Sequence, residues 1–114
     1  MKNNVLTQRI MDVRKRRSDE TRRILMKKVE IAKNILVQEF HAKKIILFGS
    51  LAVDEMIHPF SDIDIIVEGL EDNYLKAGGK LIDTLGEFID LKPFELLDDI
   101  FKKQVIQKGK VIYS

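Results

Sequence analysis

Three aspartates stand where strands are expected. Asp62-Ile63-Asp64 runs into Ile65-Ile66-Val67, and Asp90 lies between Ile89 and Leu91. Alternate strand residues share a face, ~6.5 Å apart along the chain, so Asp62 and Asp64 project with Ile66 while Ile63, Ile65 and Val67 fill the other side. Aspartate is depleted in strands, and two on one face of an apolar strand break the usual pattern. Like charges that close repel unless a cation separates them or one is protonated. Mg²⁺ suits such oxygens and commonly binds one or two carboxylates plus substrate phosphates. Asp90 repeats the anomaly: alternation sends Ile89 and Leu91 to the core and projects Asp90 with Phe88 and Lys92. If the two strands are neighbours, three carboxylates converge, enough for two metal ions ~4 Å apart and an in-line phosphoryl or nucleotidyl displacement. Spacing alone leaves a plainer reading open, with Asp62 at a strand start and Asp64 in a surface ion pair.

Gly49-Ser50 adds a second half to the site. A glycine ending a buried strand and a serine opening a helix present N–H groups, a hydroxyl and a positive dipole end to an anion. Alone, the pair is an ordinary strand-to-helix turn. With eleven residues between Ser50 and Asp62, it becomes a phosphate cradle facing a metal site.

The elements that must position these groups are legible in outline. Lys43-Lys44-Ile45-Ile46-Leu47-Phe48 is a short, apolar run stopped by Gly49, as a buried strand would be. Asp62 to Val67 predicts a second strand, Phe88 to Lys92 a third ended by Pro93, and Val111-Ile112-Tyr113 a terminal one. Helices are expected over Leu25 to Phe40, from Ser50 to about Met56, over Asp72 to Leu85 (weakened by Gly78-Gly79) and over Leu97 to Gln107. Ser18 reads as an N-cap, with Asp19 and Glu20 in the first turn. Val5, Leu6, Ile10 and Val13 mark a preceding helical stretch, separate or continuous. The alternation predicts an α/β (α+β) fold: a mixed sheet of about four strands flanked by helices, with an N-terminal helical extension. The expected division is a basic arm over 1–17 and one domain over 18–114.

Composition narrows the function classes. A chain of 114 residues holds one domain of ordinary size. With no cysteine and two histidines, His41 and His58, disulfide scaffolds, thiolate zinc sites, thiol nucleophiles and multi-histidine metal sites are excluded. No apolar run nears the ~20 residues of a membrane span, and the start has no apolar h-region, so a cytoplasmic protein is expected. Charge is divided: residues 1–44 hold 13 Lys and Arg against 5 Asp and Glu, and residues 45–114 hold 7 against 13. The basic stretch Arg14–Lys28 lacks the interleaved aromatics of a single-strand nucleic-acid platform, so a solvated face or an acidic partner suits it better than nucleic acid. The stripe Leu25–Phe40 is core or half of a homo-oligomer seam. His41 suits a helix end; His58 reads as a surface residue.

Phe48-Gly49-Ser50, Ser61-Asp62-Ile63-Asp64-Ile65-Ile66-Val67 and Ile89-Asp90-Leu91 together resemble the minimal nucleotidyltransferases of the polymerase-beta-like superfamily, over roughly residues 30–114. The resemblance implies that Gly49, Ser50 and Ser61 bind the nucleotide phosphates. It implies that Asp62, Asp64 and Asp90 hold Mg²⁺, in two ions, with Asp90 activating the attacking hydroxyl. It further implies transfer of a nucleoside monophosphate, AMP from ATP, to a hydroxyl. Small members of the family are typically encoded beside a HEPN-domain toxin, a helical RNase, and act as its antitoxin by binding it and by adenylylating a tyrosine on it. Such a partner would be a separate chain. One departure stands out: the family often continues Gly-Ser as Arg-Ala-Arg-Gly, whereas this chain has Leu51-Ala52-Val53-Asp54. Lys92 is a candidate to replace the missing cations. A non-catalytic antitoxin that neutralises its partner by binding is the alternative.

Overall fold

The computed structural model describes residues 5–53, 62–86 and 88–114. Helix α1 (Val5–Gln38) is followed by strand β1 (Lys44–Phe48), a 3-10 turn (Gly49–Ala52) and strand β2 (Ile63–Glu68). After a 3-10 turn at Glu71–Asn73 come helix α2 (Tyr74–Leu85), strand β3 (Ile89–Pro93), helix α3 (Asp99–Lys108) and strand β4 (Lys110–Tyr113). The sheet order is β3-β2-β1-β4. β1 pairs antiparallel with β2 and β4, and β2 pairs parallel with β3. A parallel neighbour requires a crossover, and α2 supplies it. The expected mixed four-stranded α+β fold is what forms.

Helix α1 is one continuous rod of 34 residues, about 50 Å at 1.5 Å per residue. Ser18 is therefore not an N-cap: it lies inside the helix and is buried. Nothing between Val5 and Gln38 is glycine or proline, so no breaker lets the chain leave helical geometry before Ser18, and serine is tolerated within a helix. The helix stops where His41 adopts φ 56° and the Ala42 N–H donates to the Leu36 carbonyl at 3.0 Å. Histidine thus holds the left-handed position usually given to glycine at a helix C-terminus. Leu25, Val29, Ala32 and Leu36 are buried in the chain's own core, whereas Val5, Leu6, Ile10 and Met11 are exposed.

The sheet separates two apolar layers. Ile45, Leu47, Ile63, Ile65 and Val67 join the α1 stripe and Ala77 and Leu81 of α2 in the larger one. Ile46 and Ile66 join Val105 of α3 in the smaller, with Phe48, Phe94, Leu97 and Phe101 against them. The glycine pair does not break α2; Gly78 faces the sheet, and a Cβ there would lie 3.9 Å from the Leu91 side chain. Helix α3 starts two residues later than its pattern suggests, because the Asp98 carboxylate accepts from the Phe101 N–H at 2.7 Å and caps it. Gly109, which follows α3, has φ −77°; its need is space, since a Cβ would come within 2.5 Å of Ile46 Cγ2. No helix among the described residues is long and apolar enough to cross a membrane.

Candidate active site

β2 is central to the site because β1 ends and β3 begins beside its first residues. On one side the antiparallel register sets Phe48, the last residue of β1, opposite Asp64. On the other the parallel register sets Asp90 opposite Asp64. Directly paired positions in adjacent strands point the same way, ~4.8 Å apart. Asp90 therefore shares the face of Asp64, on the side of the sheet that α3 covers only in part.

Gly49 follows Phe48 with φ 80°, the left-handed region that favours glycine. A Cβ on it would lie 2.6 Å from Asp64 Oδ2. The glycine is thus required twice, by its backbone angle and by the carboxylate packed over it. Ser50 and Leu51 follow in the tight turn, with Leu51 buried. This segment is a short 3-10 turn that ends at Ala52, with Val53 extended, where a helix from Ser50 was expected; the rest of that expected span, to Met56, lies within residues 54–61, outside those described. Ser61 and His58 fall in the same stretch.

The electrostatics centre on Asp64. Burial raises its pKa above the ordinary carboxylate value; Lys92 opposes that rise, while Asp90 and then Asp62 add to it. Asp62 lies outside the strand and is exposed, yet close enough to act on Asp64. Lys92, two residues beyond Asp90, hydrogen-bonds to Asp90 Oδ2, and its Nζ is 4.0 Å from Asp64 Oδ1. The carboxylates and the ammonium are each about one-third to one-half exposed, so the triad is open to solute. Among the described residues no three acidic or histidine side chains close into a metal cage. The structure assembles Gly49, Asp64, Asp90 and Lys92, with Asp62 at the rim.

One contributor carried no signal in the sequence. The Arg22 guanidinium, on α1, donates to the Leu51 carbonyl at 3.2 Å and the Val53 carbonyl at 3.0 Å. It ties the long helix to the far end of the Gly49–Ser50 turn. Arg22 had been just one cation in the basic stretch Arg14–Lys28, and nothing local links it to a segment 29 residues away.

The Polymerase beta nucleotidyltransferase family profile matches residues 18–114. No curated protein sequence matches the chain. Among solved structures, a chain of a toxin–antitoxin complex with AMP-PNP is similar at 27% identity and TM-score 0.62, covering 75% of this chain and 73% of that one. A mutant toxin–antitoxin MntA-HpeT is similar at 26% identity and TM-score 0.59, over 76% and 72%. The toxin–antitoxin MntA-HepT, at 22% identity and TM-score 0.56 over 79% and 72%, shares the fold. With its paired aspartates beside a glycine turn and a family match over most of its length, this chain belongs to the polymerase beta nucleotidyltransferases, in their minimal form.

Proposed function

We propose that the protein is a Mg²⁺-dependent nucleotidyltransferase that moves AMP from ATP to a hydroxyl, a tyrosine of a separate HEPN-type toxin, and so serves as its antitoxin. The observation that carries this reading is the register of Asp64 against Asp90, with Gly49 packed on Asp64. The similarity to a toxin–antitoxin complex containing AMP-PNP supports the nucleotide and the setting. The working unit is residues 18–114, with 1–17 as an arm.

The donor set fits the metal. Asp64 is held at a raised pKa by burial and by two neighbouring carboxylates, and hard oxygens whose mutual repulsion needs a cation suit Mg²⁺. Asp62, Asp64 and Asp90 would hold it, and when bound it supplies positive charge to the phosphates. Gly49 leaves room for a phosphate to approach the backbone, and Ser50 and Ser61 complete the phosphate contacts. Asp90, the more exposed of the pair, accepts the proton as the hydroxyl oxygen attacks the α-phosphorus. The new O–P bond forms as the α–β bridge breaks and pyrophosphate leaves.

Incubating the protein with α-labelled ATP, Mg²⁺ and the product of the adjacent gene tests this. Label on the neighbour is expected, and it should fall by at least about a hundredfold, roughly 2.7 kcal/mol of transition-state stabilisation, in Asp64→Asn. A tight complex that never acquires label would overturn the enzymatic reading. It would favour the second one, a module that neutralises by binding, for which the uncharged Leu51-Ala52-Val53 after Ser50 speaks.

A further inference from the structure

Lys92 reaches the carboxylates through strand geometry. It follows Asp90 by two positions and so shares its face, and its register partner on β2 is Ile66, which offers no charge. The smaller apolar layer on this side of the sheet, with Phe48, Phe94, Leu97 and Phe101 at its margin, offers no charge either, and Lys102 lies over the Phe94 ring at 5.5 Å. Both ion pairs of Lys92 among the described residues go back to Asp64 and Asp90. The ammonium therefore occupies the place between two facing carboxylates that a cation must fill.

We infer that Lys92 is the resident counter-cation of the Asp64–Asp90 pair, and that a divalent cation binds there by displacing it. This rests on the transferase reading above and makes Lys92 a positioning residue that sets the metal affinity of the site. A single ammonium neutralises only half of the paired charge, so a divalent ion has the stronger claim. The released ammonium remains tethered to β3 by its four-carbon stem. Metal entry thus frees a positive charge beside the phosphate turn, and an arriving polyphosphate that engages it favours the metal-bound state. The same side chain that opposes the metal alone would then assist metal and nucleotide together.

The full chain is titrated with Mn²⁺, without nucleotide, and free metal is read by electron paramagnetic resonance. Lys92→Met should bind about tenfold more tightly than wild type, the scale of one unit charge at this separation in a largely solvated site. Lys92→Arg, which keeps the charge, should stay close to wild type. In EDTA, Lys92→Met should melt below wild type, and Mg²⁺ should raise its Tm more than it raises that of wild type. Equal or weaker Mn²⁺ affinity in Lys92→Met, with wild-type binding intact, overturns the role of Lys92 and leaves the transferase reading standing. Absence of binding in both proteins at millimolar metal overturns the two together. If Lys92→Met does not fold, the ε-carbon resonance of Lys92 in the wild-type chain decides: movement on Mg²⁺ addition supports displacement, and a fixed resonance at saturation refutes it.

Discussion

The two faces of β2 put the same six residues to opposite uses. Ile63, Ile65 and Val67 are fully buried beneath α1 and α2. On the reverse, Ile66 is buried under α3, while Asp64, one pleat away, is left at the open end beside Asp90 and Gly49. The first face is covered by two helices; the second by one short helix that leaves the carboxylates about one-third to one-half exposed. Solvent access on β2 is thus confined to the open end at Asp64, so substitutions there should separate from those at its buried neighbours, Ile66 included.

The largest effect is expected on the covered face. Ile65→Ala should lower unfolding free energy by about 3–4 kcal/mol, through lost transfer energy and a cavity, as measured by urea denaturation. A loss below about 1 kcal/mol would mean that the two faces do not divide the work. Gly49→Ala should cost about 1–2 kcal/mol, because alanine is strained at φ 80° and its Cβ meets Asp64. Its nucleotide binding, followed by calorimetry with ATP and Mg²⁺, should fall more than its stability does. Arg22→Ala removes two donors from the turn and should cost about 1 kcal/mol. Faster amide exchange at Leu51 and Ala52, with β1 unchanged, would show that the loss is local.

The smallest effect concerns pH, on the open face. Asp64 has a raised pKa in the folded protein, so the native state binds its proton more readily than the unfolded chain. Its contribution to stability is therefore fully present below the unfolded carboxylate pKa and declines as pH rises through the folded value. In EDTA, Asp64→Asn should equal or slightly exceed wild-type stability at pH 7, by less than about 1 kcal/mol, and the difference should shrink in mild acid. A clear destabilisation by Asp64→Asn at pH 7 would show that the carboxylate helps hold the fold.

How much of this could be read from the chain follows from how local each signal is. The strands around Asp64 and Asp90 were legible, since the apolar alternation that marks them lies within a few residues. The face of Asp90 was also legible, but its neighbour was not: register between β2 and β3 depends on the α2 crossover, which periodicity does not encode. Ser18-Asp19-Glu20 misled because a capping pattern counts only where the preceding residue leaves the helix, and no breaker precedes it. Gly78-Gly79 suggested a weak point, and α2 runs through the pair unbroken. Lys92 was read as a cation for phosphates, and the structure sets it on the carboxylates instead, because its reach back along β3 depends on what β2 presents beside it.

The unbroken α1 has a mechanical corollary. A straight helix transmits rotation, so deleting a single residue before Ser18 would turn every side chain N-terminal to the cut by about 100° relative to the sheet. Val5, Leu6 and Ile10 would swing to a new bearing while Arg22 kept its hold on the turn. The outer half of the rod is thus phased to the sheet like a key to its shaft, and its angular setting is inherited from the buried residues of the inner half.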